Sequence, residues 1–148
     1  MMVSYGSHLL RRRKIKPSSC KQKGRKLQQL VRDLILLSFP NLEEDDVRST
    51  AMGQGGEDIQ LSPKARRVIP YTIECKNVER LNVWKAWEQA TNHRGNYEPL
   101  LVIKKNRSPT LAVINLEHLL EILNGSYQLQ REEERSDTGD NSNDLVDG

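Results

Sequence analysis

Only two cysteines and one phenylalanine occur in 148 residues, and aromatic side chains make up 5% of the chain. Two cysteines cannot frame a disulfide-stapled fold. Cys20 falls in a basic segment and Cys75 in a predicted central strand, so a reducing, intracellular setting is expected. No apolar run approaches the roughly 20 residues that span a bilayer, and Leu9-Leu10 is far too short for the core of a secretion signal. The expected location is therefore cytoplasmic, including the host cytoplasm if the protein is viral. There is no internal repeat. The three histidines, His8, His93 and His118, lack zinc-ligand spacing, and no Ser/His/Asp arrangement stands out.

Acidic residues are wholly missing from the first 26 positions, which hold nine Lys and Arg. The last 18 residues reverse the balance, with seven acids against two arginines. Between them the chain is nearly neutral, and the total is +3. A basic arm on a near-neutral core is the electrostatic footprint of a polyanion partner. Arg11, Arg12, Arg13 and Lys14 form its densest run. Three parts are expected: a flexible basic arm over 1–23, one folded domain over 24–128, and an acidic, disordered tail over 129–148.

Hydrophobic periodicity divides the domain into elements. Leu27, Leu30, Val31, Leu34 and Leu37 recur at helical spacing from about Lys21, and Phe39-Pro40 ends that helix. Glu43-Glu44-Asp45-Asp46 reads as a solvated turn. Strands are predicted over 47–52, 58–61 and 68–76. The glycines at 53, 55 and 56 permit a sharp turn, and Ser62-Pro63 opens a short helical turn. A helix follows over about 81–92, with Leu81, Trp84, Trp87 and Ala90 as its apolar stripe and both tryptophans in the core. The continuous apolar runs 100–103 and 111–114 are expected to be well-buried strands. Asn115 caps a final helix that stops at Asn124-Gly125. This order implies an α/β fold with helices covering a mixed sheet.

Chemistry concentrates in residues 56–77. Alternation along a strand puts Glu74 and Lys76 on one face, with Ile73 and Cys75 on the other. Asp58 begins the preceding strand. Antiparallel pairing of those two strands brings the start of one beside the end of the other, so the Asp58 and Glu74 carboxylates can reach one ion. Hard oxygen ligands suit Mg²⁺, with Mn²⁺ as a substitute. Glu57 points to the opposite side of its strand and is not a ligand.

Gly56-Glu57-Asp58-Ile59, Ile73-Glu74-Cys75-Lys76 and the later Trp87-Glu88-Gln89-Ala90 resemble the PD-(D/E)xK nuclease superfamily. Within it the chain is similar to Holliday-junction-resolvase-like and bacteriophage endonucleases, over roughly 24–124. The resemblance implies a restriction-endonuclease-like core, in α-β-β-β-α-β order, and Mg²⁺-dependent hydrolysis of DNA phosphodiesters, with branched recombination or replication intermediates as substrates and a homodimer as the acting form. It implies Asp58, Glu74 and Lys76 as catalytic residues, with Asp58, Glu74 and the carbonyl of Cys75 as metal ligands. Gln28 and Gln89 would support the site. Arg48, Ser49, Lys64, Arg66, Arg67 and Lys85 are candidate nucleic-acid contacts. The chain departs from the family pattern in two places: Glu57 stands where the motif's proline would be, and the first helix offers Gln28 and Gln29 where a Glu is often found. A non-catalytic nucleic-acid-binding protein, or a nuclease for linear or mismatched DNA, are the alternatives.

If residues 11–26 contact phosphates, their removal is expected to weaken binding to all DNA sequences. It should also flatten the log–log salt dependence by roughly 0.9 per lost duplex contact. Titrations at several salt concentrations measure that slope, and an unchanged slope would return the arm to a solvated tail.

Overall fold

The computed structural model describes residues 17–51 and 54–125. Helix α1 (Pro17–Ser38) leads into a 3-10 turn over Glu44–Asp46. Strands β1 (Val47–Ser49) and β2 (Ile59–Leu61), helix α2 (Pro63–Val68), strand β3 (Tyr71–Asn77) and helix α3 (Val83–Asn92) follow. Strands β4 (Glu98–Lys104) and β5 (Leu111–Val113) and helix α4 (Leu116–Asn124) complete the order. The five strands form one mixed sheet in sequential order β1-β2-β3-β4-β5. Three neighbouring pairs are antiparallel and β3–β4 is parallel. A parallel pair needs a crossover rather than a hairpin, and α3 supplies it.

The two faces of the sheet carry separate cores. On one, Leu27 and Val31 of α1 pack with Val47, Ile59, Ile73, Cys75 and Val102. On the other, Ala86 and Ala90 of α3 pack with Leu101, and Leu81, Val83, Trp87, Ile103 and Val113 close around them. Alternation along β3 sends Ile73 and Cys75 to the α1 face. Glu74 and Lys76, opposite Leu101 and Ile103, go to the α3 face.

Local sequence explains the ends of these elements. The Ser62 hydroxyl accepts from the Ala65 amide with Pro63 in the first turn, and Asn82 and Asn115 cap α3 and α4 in the same way. Gly125 takes the left-handed conformation that stops α4. Within the acidic turn, Asp46 accepts from the Glu43 amide at 2.9 Å and from the Ser62 hydroxyl at 2.6 Å. With Lys64 at 3.4 Å, these bonds hold its carboxyl below the usual carboxylate range, the Glu43 amide contributing most. Helix α4 is tied to the sheet by His118, buried with Nε2 2.8 Å from the Tyr71 hydroxyl.

Three expectations need correction. The basic arm does not extend to residue 23, because α1 already begins at Pro17. Proline is tolerated in a first turn, and the Lys, Gln and Arg that follow are good helix formers. That end is docked as well: the Lys23 carbonyl accepts from Asn77 at 3.1 Å, and its ammonium donates to Asn106 at 2.9 Å. Residues 1–16 and the acidic tail lie outside the described residues. Trp84 is not in the core but 84% exposed. The buried stripe of α3 runs through Val83, Ala86, Trp87 and Ala90, and Trp84 is one residue out of phase with it. Finally, β5 is an edge strand rather than a buried one: it pairs with β4 alone, and Leu111 is 54% exposed.

The contrast between Ile73 and Trp84 can be measured. Ile73→Ala is expected to cost about 2–5 kcal/mol of stability, whereas Trp84→Ala should stay within about 0.5 kcal/mol of wild type. Urea unfolding of both variants checks the two values, and a large loss for the tryptophan variant would put Trp84 back in a core.

Candidate functional site

Strand β2 begins at Ile59, whose register partner is Ile73. Beyond that point β3 runs on without β2 beside it, so the Cys75 amide needs another acceptor. Asp58, the residue just before β2, provides it: Oδ2 accepts from the Cys75 amide at 2.6 Å. The other oxygen, Oδ1, accepts from Gln28 Nε2 at 2.8 Å. Gln28 is itself buried on α1, so one carboxylate links α1, the entry to β2 and the middle of β3. Gly56, at φ +106°, permits the turn that delivers it.

Glu74 is 2% exposed. Its Oε1 lies 2.7 Å from the Lys76 ammonium, two residues along the same strand face. Its Oε2 lies 3.4 Å from Nδ1 of His93, the residue that ends α3. Each carboxylate oxygen of Asp58 and Glu74 therefore has one partner and retains lone-pair capacity.

The charges interact across the site. Burial pushes the Asp58 carboxyl above its ordinary value, and the Glu74 charge adds to that rise. The Cys75 amide, Lys76 and Gln28 act in the opposite direction without cancelling it. Burial also raises the Cys75 thiol far above its usual value, and the Asp58 and Glu74 charges raise it further. A protonated thiol is a poor metal ligand, because the thiolate is the form that binds.

Two carboxylates beside one ammonium leave a net negative charge that a divalent cation would relieve, and the oxygen donors suit Mg²⁺ or Mn²⁺. Among the described residues, no three His, Cys, Asp or Glu side chains converge on one point. The expected set has only two carboxylates, Asp58 and Glu74, completed by the main chain of Cys75 and by water.

The other candidates fall into distinct environments. Gln28 is joined to Asp58, whereas Gln89 is exposed on α3 and its side chain makes no hydrogen bond among the described residues. Arg66 is not an open phosphate contact. It is bound to the Glu57 carboxylate, donates to the Tyr71 carbonyl and lies over the Tyr97 ring. Glu57 is engaged by that guanidinium. Arg48 pairs with Asp45 at 2.7 Å and Lys64 with Asp46 at 3.4 Å, all but Asp46 well exposed. Ser49 is half-buried on β1, while Arg67 on α2 and Lys85 on α3 are exposed. Arg11, Arg12, Arg13 and Lys14 lie outside the described residues.

His93 and the Glu57–Arg66–Tyr97 chain were not anticipated. His93 reads in sequence only as a helix stop. Its signal is topological: a crossover helix between parallel strands runs back along the sheet, so the residue after it returns towards the first of those strands. Comparison of the chain with protein-family models, with curated proteins and with solved structures gave no match to any of them.

The raised Asp58 carboxyl has a pH consequence. The folded state takes up a proton at a pH where the unfolded chain does not. The stability this group contributes is thus full below its unfolded value and is lost as pH rises through the folded one. Asp58→Asn stays neutral throughout, and the Gln28 amide can rotate to accept from the new nitrogen. In chelator the variant is expected to be more stable than wild type at neutral pH, with the gap closing on acidification. Denaturant melts across that range measure the gap; a gap that widens in acid would contradict the assignment.

Proposed function

We propose that this protein is a Mg²⁺-dependent endonuclease that hydrolyses DNA phosphodiester bonds, with branched DNA as its preferred substrate. The observation that carries the proposal is the seat of Asp58 just before the start of β2, where its carboxylate accepts from the Cys75 amide at 2.6 Å, between Glu74 and Lys76 on β3. There Glu74 adds to the rise in the Asp58 carboxyl. The order of helices and strands supports a restriction-endonuclease-like core, and the basic segment supports a polyanionic partner. A homodimer would let two strands be cut symmetrically.

A divalent cation bound here would polarise the phosphate and lower the pKa of a coordinated water. Asp58 and Glu74 would hold it through oxygens that keep free lone pairs. Lys76 stands beside Glu74, where its fixed positive charge can orient the attacking water and offset negative charge developing on phosphorus-bound oxygens. Gln28 keeps Asp58 in one orientation, and His93 does the same for Glu74, so little reorganisation is needed when substrate arrives. Gln28 also occupies the place where a helix-one carboxylate would add charge, which favours a single-cation site. It is equally the observation that favours the non-catalytic reading.

Glu74→Gln is expected to reduce Mg²⁺-dependent cleavage of branched DNA by roughly 100-fold or more, leaving DNA binding in place. Gel assays of cleavage and binding with wild type and variant test this, with a Mn²⁺ calorimetric titration alongside. Equal cleavage by both proteins would sink the catalytic assignment. DNA binding without cleavage or metal uptake would establish the binding-only alternative.

A further inference from the structure

A polar cleft of about 530 Å³ opens next to the candidate centre. Its walls are the Gly56-Glu57 segment, Thr72 near the start of β3, and the turn from His93 to Tyr97 after α3. His93 belongs to both places, since it lines the cleft and lies 3.4 Å from Glu74. The cleft therefore starts one side chain away from the buried carboxylate.

This cleft is built rather than incidental. The Thr72 hydroxyl donates to the Arg94 carbonyl at 2.9 Å, which pins the turn to a buried strand position. The Tyr97 amide donates to the same carbonyl at 3.0 Å. Gly95, at φ +55°, gives the left-handed step the turn requires. Arg66, held by the Glu57 carboxylate and the Tyr71 carbonyl, lies 4.3 Å from the centroid of the Tyr97 ring. The ring is thus braced from one direction by a guanidinium whose own charge is already compensated. Tyr97 remains 39% exposed. Arg94 at the rim is exposed and has no ion-pair partner among the described residues.

An oriented aromatic surface, an uncompensated cation and a volume within the roughly 300–1,000 Å³ of small-ligand pockets suit one nucleotide. We propose that the cleft binds an unpaired nucleotide, its base against Tyr97 and its phosphate on Arg94, beside the phosphodiester acted on at Asp58, Glu74 and Lys76. Only this last placement rests on the nuclease reading. Bases stacked within a duplex present no free face to an aromatic ring, whereas a flap, gap or branch point does. The substrate class narrows accordingly, to DNA with a single-stranded nucleotide next to the cut.

The test compares a blunt duplex with the same duplex carrying a short single-stranded extension that contains 2-aminopurine. Full-length protein in chelator is titrated with each, and folding of every variant is checked by thermal melting. Tyr97→Leu is expected to weaken binding to the extended DNA by about 5- to 150-fold, the range for losing one stacked base, and to abolish the quench of 2-aminopurine. Tyr97→Phe should bind as wild type does. Arg94→Ala, an exposed position, should lower the salt slope on the extended DNA by roughly 0.7, the value for one single-strand phosphate. None of the three should alter blunt-duplex binding. The proposal is overturned if Arg94→Ala leaves the slope unchanged, if Tyr97→Phe and Tyr97→Leu lose equally, or if both DNAs weaken together. Tyr97-dependent binding by a protein that never cleaves with Mg²⁺ would remove the nuclease reading and keep the cleft; Mg²⁺ cleavage indifferent to Tyr97 would do the reverse.

Discussion

One carboxylate holds the molecule's centre together. Asp58 accepts the Cys75 amide that β2 leaves without a strand partner, and it accepts the Gln28 amide from α1. A buried main-chain donor without an acceptor would cost about 1–3 kcal/mol, so the carboxylate has a structural reason to be where it is. That position also creates the electrostatic problem: a desolvated anion under the influence of a second anion, which one lysine partly offsets. Structure and candidate chemistry therefore draw on the same residue. Any account that assigns Asp58 to only one of these leaves half of its contacts unexplained.

The sheet separates tasks by face. Apolar side chains of β3 and β4 on the α1 side build the larger core, while the opposite face carries Glu74 and Lys76 amid a smaller core under α3. Glu74 is tolerated at 2% exposure because an ammonium and an imidazole lie against its oxygens. Replacing either partner with an apolar group would strand a buried charge, which is far more costly than losing an exposed ion pair.

Much of this was legible in the sequence, for identifiable reasons. Caps at Ser62, Asn82 and Asn115 and the stop at Gly125 are local chemistry, and the short-range pattern carries them. The antiparallel β2–β3 pairing and the shared face of Glu74 and Lys76 follow from strand alternation. What eluded the sequence depends on long-range placement. Trp84 reads as part of an apolar stripe until the phase of α3 is set by Ala86 and Ala90 against Leu101. Leu111 reads as buried until the strand order makes β5 an edge. Arg66 reads as a loose surface cation, yet Glu57, nine residues earlier, claims it. His93 carries no motif at all, because only the crossover that returns α3 along the sheet brings it to Glu74.

That crossover has a kinetic side. The groups around Asp58 and Glu74 come from α1, the approach to β2, the middle of β3 and the end of α3, joined through the one parallel strand pair. Contacts of such sequence separation pay loop-closure entropy before they return any stabilisation, and they form slowly. The parallel β3–β4 pairing is one such contact. Until residue 104 has been made, β3 lacks the strand that pairs with it from Tyr71 to Asn77. A nascent or truncated chain ending before β4 would carry every motif residue of the centre on a sheet without that neighbour.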